Sequence, residues 1–413
     1  MLQTRGKRRD GRHKQNVNVI ERSDLQIMAA VIILSIYGLM MIFSASAYSS
    51  AGSGGKFAMY ELTLRQLACA IGGMVVLAVC RVTNYHIWEK LSSVIYVLGI
   101  FLIFALKTPL GVEVNHAVRW VKVCPYFNLQ VADVVKAAVI VWIAAQLKQH
   151  CHQMDRPALM VRIWIGGCFP AVLIWQISTD LSSALVIVGI TFGMTFLYCT
   201  YTKIHVILMG SAVVGVFVWR KMYMEHLPTA EELANMSFRK VRLAVWLDPE
   251  RYASGKGYQT MQALYAVGSG GITGKGIGNG VQKLSKIPEA QNDMIFSVIC
   301  EELGVIGSVI LLFLFGYLVF QLVKLALSCR DTCGTALVIG VALQIILQVV
   351  VNVCVCLNLF PNTGISLPFI SYGGSSILLL LAEIGIVLSV YREMQQKAVI
   401  QYMQKNRGKA KLS

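Results

Sequence analysis

The residues best suited to chemistry stand between positions 255 and 307, GKGYQTMQALYAVGSGGITGKGIGNGVQKLSKIPEAQNDMIFSVICEELGVIG. A polar, glycine-rich loop bearing Lys275, Lys283 and Lys286 runs into an apolar helix, and a lone carboxylate, Asp293, stands at the junction. An acid in that position has two readings. It can cap the helix by accepting amide hydrogen bonds, or, directed into a cavity among membrane helices, it can be a functional group. Glu301 and Glu302 follow eight and nine residues later, about 12–14 Å farther along a helix. They are too distant to pair with Asp293 and suit contacts with lysines across the bundle. The glycine run over 268–280 has neither a P-loop nor GxGxxG spacing, so a nucleotide site is excluded. It is either a flexible loop or a set of amides aimed at an anion, and the lysines favour a phosphate-bearing partner.

Other polar residues interrupt apolar sequence. The stretch 361–376, PNTGISLPFISYGGSS, cannot be a regular helix because of Pro361, Gly364, Pro368, Gly373 and Gly374. It reads as a re-entrant or packed loop whose Ser371, Tyr372 and Ser375 hydroxyls share an outer cavity with Asp293. Asp133 and Lys136 are spaced i, i+3 and fit an ion pair. Asp180 falls in a tight turn. Gln344, Gln348 and Asn352 line one helix face, where hydrogen bonding between helices is the default. Glu383 lies in apolar sequence with no role evident. The histidines lack metal-ligand spacing, and the eleven cysteines are scattered, mostly in apolar runs, as small buried hydrophobes.

The elements that must position these groups are membrane helices. The chain of 413 residues is 56% hydrophobic and 14% charged, against about 25% charged in soluble domains. Apolar windows recur at the length that spans a bilayer, which predicts an all-α polytopic membrane protein and excludes a β-barrel. Ten spans are expected, near 25–47, 62–80, 91–106, 130–148, 164–177, 181–198, 204–219, 294–325, 336–357 and 371–390. They form one membrane domain over 25–392 between a basic tail (1–24) and a second basic tail (393–413). The net charge of +16 is crowded into those tails and short loops, which fits the cytoplasmic side of a membrane and not nucleic acid. An even span count puts both termini in the cytoplasm. The segments 107–129, 358–370 and the large loop 220–292, between helices seven and eight, then lie outside.

Residues 288–293 (PEAQND), followed by Glu301-Glu302-Leu303-Gly304, resemble the PEAHTDFIFAxxxEELG signature of the SEDS proteins, the FtsW/RodA/SpoVE family. Residues 367–376 (LPFISYGGSS) are similar to its LPFxSYGGSS. Tyr258-Gln259 with Gln262, Gly268-Ser269-Gly270-Gly271 and Leu247-Asp248-Pro249 are similar to its YQxxQS, GSGG and FLDP elements. The departures are Gln130-Val131-Ala132-Asp133 for QPSE, Thr179-Asp180-Leu181-Ser182 for PDLG, His116-Ala117-Val118-Arg119-Trp120 for a GARRW-like stretch, and Ser366 for a proline.

The resemblance implies a peptidoglycan glycosyltransferase with Asp293 as its base. Such an enzyme polymerises lipid II on the outer face of the cytoplasmic membrane and releases undecaprenyl diphosphate. Substrate contacts are expected from Lys275, Lys283, Lys286 and Glu289, from Arg119 and Lys136, and from Ser371, Tyr372 and Ser375. Asp133, Asp180, Glu301, Glu302, Asn352, Pro368, Gly373 and Gly374 are motif positions. A divalent cation, magnesium or manganese, is expected with its ligands unassigned, and no nucleotide. The implied partners are a single-pass class B penicillin-binding protein transpeptidase and other cell-wall or divisome membrane proteins. Two other functions compete: a lipid II flippase, with Asp133, Lys136, Glu301, Glu302 and Glu383 along its path, and a non-catalytic scaffold that activates the transpeptidase.

Overall fold

The computed structural model describes residues 23–49, 56–114, 117–124, 127–153, 156–198, 202–234, 236–282 and 290–410. Lys283, Lys286, Glu289 and nearly all of the N-terminal tail lie outside them. In lipid, backbone polar groups must be satisfied within the segment, so the apolar runs become helices. The first three are α1 (Ser23–Ser49), α2 (Lys56–Val82) and α3 (His86–Ala105). A small sheet follows, β1 (Gly111–Val114), β2 (Ala117–Cys124) and β3 (Phe127–Gln130), and then α4 (Val131–Gln149), α5 (Pro157–Ile177), α6 (Leu181–Tyr198) and α7 (Thr202–Met224). Three short helices, α8 (Ala230–Ala234), α9 (Phe238–Leu247) and α10 (Tyr258–Ser269), precede the long α11 (Ile295–Ser328), α12 (Thr332–Cys356) and α13 (Gly374–Ala410).

Among the described residues nine helices are long and apolar enough to cross a membrane. The expected tenth is α4, which carries Asp133, Lys136 and Lys148 in its 19 residues. Protein shields those charges, because α4 is buried along most of its length against α3, α6 and α12. The centre of the bundle is α12, packed on α4, α6, α11 and α13, while α13 packs most extensively on α2.

The polar segment 107–129 is more ordered than its composition suggested. Its β-branched and aromatic residues, Val118, Trp120, Val121 and Val123, suit a pleated surface, and the three strands form an antiparallel meander in the order β1-β2-β3. Val112 pairs with Trp120 and Glu113 with Val118, leaving Arg119 as the extra residue of a β-bulge. Bulges of this kind re-aim side chains beside functional sites.

The single span expected over 294–325 is broken. Gly304, with φ 64° and ψ −163°, interrupts α11. The glycine run fills the break: Lys275 and Gly276 amides donate to the Glu301 and Glu302 carbonyls (3.0 and 2.9 Å), and Val305 and Ile306 amides donate to Gly271 and Ile272 (3.0 and 3.1 Å). Those amides therefore complete a helix and are not an anion cradle. Gly304 is needed there because the left-handed region is costly for other residues, and a Cβ would stand 2.4 Å from the Gly274 nitrogen.

The two ends of the bundle differ. At one, His86 lies between Glu89 (2.8 Å) and Glu393 (3.1 Å), Lys148 reaches Glu89 (2.8 Å) and Asp331 (3.6 Å), and Arg81 pairs with Asp24. At the other, the sheet, the α5–α6 turn, α9, α10, the segment before α11 and the loop between α12 and α13 come together.

Candidate active site

The loop between α12 and α13 organises this second end. It dips beside the middle of α1, where a Cβ on Gly38 would lie 2.4 Å from the Phe369 carbonyl. Irregular backbone at such depth persists only where protein satisfies it, and each neighbouring element does so. Asn358 and Trp246 of α9 exchange hydrogen bonds, with Trp246 Nε1 donating to the Asn358 carbonyl (3.1 Å) and Asn358 Nδ2 to the Trp246 carbonyl (3.2 Å). Asn362 Nδ2 donates to Gln259 Oε1 (3.4 Å), the Tyr372 amide to the Gln291 carbonyl (2.9 Å), and the Gly373 amide to Gln66 Oε1 (3.1 Å). Three non-glycine residues with positive φ flank the site: Thr179 (56°), Asn358 (54°) and Phe369 (62°). Such backbone costs about 1–3 kcal/mol each and gathers at functional sites.

Asp293 sits one residue before Met294, the N-cap of α11. Its backbone is fixed from below: Asn352 Nδ2 donates to the carbonyls of both Asp293 (2.9 Å) and Ile365 (2.8 Å). Asn352 is fully buried and thereby locks the acid-bearing turn to the α12–α13 loop. The Asp293 side chain is half-buried and approaches Gly364 (φ +73°), where an added Cβ would stand 3.6 Å from Asp293 Oδ2 and 3.0 Å from Arg119 Nη1. The bulged Arg119 and the carboxylate thus face each other across a residue with no side chain.

Asp180 joins them from the α5–α6 turn. Its Oδ1 accepts from the Ser183 amide (3.1 Å) and lies 2.7 Å from Ser182 Oγ, and its Oδ2 accepts from Ser183 Oγ (2.8 Å). Ser182 Oγ is also 3.0 Å from the Thr363 carbonyl. Burial pushes the Asp180 carboxyl up, but the Arg119 charge and these hydrogen bonds outweigh it and hold the group below its ordinary range. Arg242 of α9 is the fourth member. Burial and the nearby Arg119 bring its guanidinium down to about 10, while Asp293 and Asp180 pull it the other way. The helix that presents it is anchored by Val241, Ala244 and Val245 in a small apolar cluster and by Arg239 donating to the Trp175 carbonyl (2.6 Å).

The remaining sequence candidates occupy other places. Lys275 binds Glu301 Oε1 (2.8 Å) and Ser269 Oγ (2.8 Å). Glu301 also accepts from the amides of Val281 and Gln282 (2.8 and 3.2 Å), and Glu302 accepts from Ser44 Oγ (2.7 Å). Lys136 is buried against Asp133 at 2.6 Å, and Glu383 receives a hydrogen bond from Gln344 (2.9 Å). Ser371 accepts from the Leu367 amide (2.7 Å) and Ser375 from the Gln130 amide (3.2 Å), so both hydroxyls hold the loop in shape. Pro368 is buried within it, and a Cβ on Gly374 would meet Cys69 Sγ at 2.7 Å. Arg242 was not singled out from sequence. In the sequence nothing distinguishes it from Arg239 and Lys240 beside it. Among the described residues no three His, Cys, Asp or Glu side chains come together to hold a metal ion.

Residues 24–396 match the FtsW/RodA/SpoVE family, described as cell cycle proteins. The chain is 33% identical over 378 residues to a probable peptidoglycan glycosyltransferase FtsW of Trichlorobacter lovleyi, covering 89% of this chain and 92% of that protein. It is 32% identical over 371 residues to the stage V sporulation protein E of Bacillus subtilis, covering 89% and 97%. Among solved structures it is similar to a chain of a peptidoglycan synthase complex that coordinates polymerization and crosslinking, with TM-score 0.66, 26% identity and coverage of 88% and 97%. It also shares the fold of the rod shape determining protein RodA of Thermus thermophilus, with TM-score 0.58, 24% identity and coverage of 89% and 96%.

Proposed function

The chain belongs to the FtsW/RodA/SpoVE family, and we propose that it is a peptidoglycan glycosyltransferase that polymerises lipid II at the outer face of the cytoplasmic membrane. One observation carries the reading: a carboxylate and a guanidinium meet across Gly364, the first on the segment before α11 and the second in the bulge of β2. Transfer to a hydroxyl with a diphosphate leaving group needs one base and a stabiliser for the departing charge. It does not need the paired carboxylates of a glycoside hydrolase. The 4-hydroxyl of an acceptor GlcNAc attacks C1 of a donor MurNAc. The new C1–O4 bond forms as the C1–O bond to undecaprenyl diphosphate breaks, and Asp293 takes the hydroxyl proton. Arg119 meets the developing phosphate charge. Asn352 acts through Asp293 and the loop by fixing where they stand.

For the expected divalent cation, no cluster of three His, Cys, Asp or Glu side chains occurs among the described residues. No step here runs through a metal. A partner transpeptidase is supported by the relative found in a synthase complex. The basic tails support cytoplasmic termini, which would put the active-site end outside.

The test is polymerisation of lipid II by the purified chain with a co-expressed class B penicillin-binding protein, comparing wild type with Asp293→Asn. Polymer from wild type alone is expected. Polymer from Asp293→Asn would remove Asp293 as the base. Transport of labelled lipid II without polymer from either protein would favour the flippase, for which the buried Asp133–Lys136 pair and Glu383 are the candidates. Intact cell-wall function with Asn at 293 would favour the scaffold.

A further inference from the structure

The bundle holds a second group of charged side chains, which the reaction at Asp293 does not use. Asp133 and Lys136 stand on α4, Gln344 and Gln348 on α12 and Glu383 on α13, and each is at most 4% exposed. Lys136 Nζ lies 2.6 Å from Asp133 Oδ1, and Gln344 Nε2 donates to Glu383 Oε2 (2.9 Å). The charges of Lys136 and Asp133 both act on Glu383, which joins the two pairs into one cluster. Gln348 follows Gln344 by one turn on the same face of α12.

The cluster balances neither its charge nor its hydrogen bonds. Two carboxylates stand against one ammonium, which leaves one negative charge in a medium where an uncompensated charge is costly. Among the described residues four of its oxygens accept from no donor: Asp133 Oδ2, Gln344 Oε1, Gln348 Oε1 and Glu383 Oε1. A proton on Glu383 would remove the charge, but it would supply one donor and leave at least two oxygens unmet. A water molecule would supply two donors and no charge. A cation meets both needs at once. The donor set consists of carboxylate and amide oxygens alone, which suits a hard cation. Lys136 cancels one carboxylate, so the site suits one positive charge and not two.

We propose that Asp133, Glu383, Gln344 and Gln348 form a buried site for a monovalent metal cation among α4, α12 and α13. Ionisable residues enclosed in a membrane bundle are expensive and mark functional positions. The bound ion pins α4 and α13 to α12. The next residue on the same face of α12 is Asn352, about 6 Å beyond Gln348, and Asn352 fixes the Asp293 carbonyl. The ion therefore braces the helix on which the turn bearing Asp293 rests.

The test is thermal unfolding of the purified full-length protein in detergent, with sodium chloride or potassium chloride replacing choline chloride at constant ionic strength. The wild-type midpoint should rise saturably with one or both metals, by on the order of 5 °C. Glu383→Gln removes the unbalanced charge. It should show no metal-dependent shift, and in choline it should unfold no earlier than wild type, which a misfolded variant could not do. Gln348→Met removes one oxygen and keeps the charge, so the metal concentration at half-maximal shift should rise about tenfold or more. Equal wild-type midpoints in sodium, potassium and choline would overturn the site. A midpoint that follows pH but no metal would overturn it in favour of a proton on Glu383, and an unchanged metal response in Glu383→Gln would overturn it as well. None of these readouts depends on the reaction assigned to Asp293, so the cation site and the glycosyltransferase reading fail separately.

Discussion

Replacing Gly364 by alanine separates the site's geometry from the fold's stability. At φ +73°, a Cβ costs about 1–2 kcal/mol of backbone strain. The new methyl would lie 3.0 Å from Arg119 Nη1 and 3.6 Å from Asp293 Oδ2. The first contact is tight, but it involves the tip of a flexible side chain, so Arg119 yields by a few tenths of an ångström at little further cost in stability. Function should suffer far more. The methyl occupies the space where the donor must sit, and a misplacement of about 1 Å at a reacting centre can cost on the order of 100-fold in rate.

A matched control makes this decisive. Gly278 also has a positive φ (+88°), and nothing lies within 4 Å of its added Cβ. Gly278→Ala should therefore carry comparable backbone strain without touching the site. Thermal midpoints in detergent and initial rates of lipid II polymerisation would be measured for both variants. The midpoints should fall together, and only Gly364→Ala should lose about 100-fold in rate. Wild-type polymerisation by Gly364→Ala, or an equal loss in Gly278→Ala, would refute the placement of the reaction between Arg119 and Asp293.

Three further outcomes follow from the hydrogen bonds. Lys275→Met removes the cation from fully buried Glu301. Breaking a buried pair costs about 3–5 kcal/mol, reduced here because two amides also bind Glu301, so the variant should unfold early and Glu301→Gln in the same chain should recover part of the loss. A lysine that bound substrate phosphate would raise KM without changing the thermal midpoint. Asn352→Ala leaves the Ile365 carbonyl without its side-chain donor and the Asp293 carbonyl with only the weak Cys356 thiol at 3.6 Å, at about 1–3 kcal/mol for a fully unsatisfied group. Thermal unfolding and polymerisation should both fall, and Asn352→Asp, which cannot donate when ionised, should rescue neither. Asp180 has its folded pKa lowered, so its stabilisation is complete above the unfolded value of about 3.9 and lost as pH falls through the lower folded value. The midpoint gap between wild type and Asp180→Asn should be flat from about pH 5 to 8 and close only below about pH 4.

Much of the architecture was legible because lipid imposes a simple rule on sequence. The helices that cross were found from apolar length, and the polar positions 133, 136, 180, 293 and 352 were recognised as exceptions to it. What the sequence hid was set by contacts between distant segments. The glycine run read as either a flexible loop or an anion cradle because its amides were counted without their partners, and the partners of the Lys275 and Gly276 amides are carbonyls freed by a break at Gly304. The bulge at Arg119 depends on the pairing of β1 with β2, and no residue of 107–129 marks it. Arg242 shares its helix with two other basic residues, and only the docking of α9 on the Asn358 carbonyl and the top of α5 decides which of them turns inward.

These hidden features have a common physical cause. A membrane bundle of unbroken helices satisfies its own backbone and offers little for a polar substrate to hold. Each departure from that rule frees backbone groups: the break in α11 farther along the bundle, and near Asp293 the re-entrant loop before α13, the positive-φ turn at Thr179 and the bulge at Arg119. The freed groups are then satisfied by one another across elements, as Asn352 does for Asp293 and Ile365 and Trp246 does for Asn358. The strain and the polarity of the site are thus one construction. A substitution that regularised the bulge at Arg119 or the loop at Gly364 should separate the carboxylates from the arginines. By this reasoning Gly364 is as necessary to the chemistry as the charged residues that meet across it.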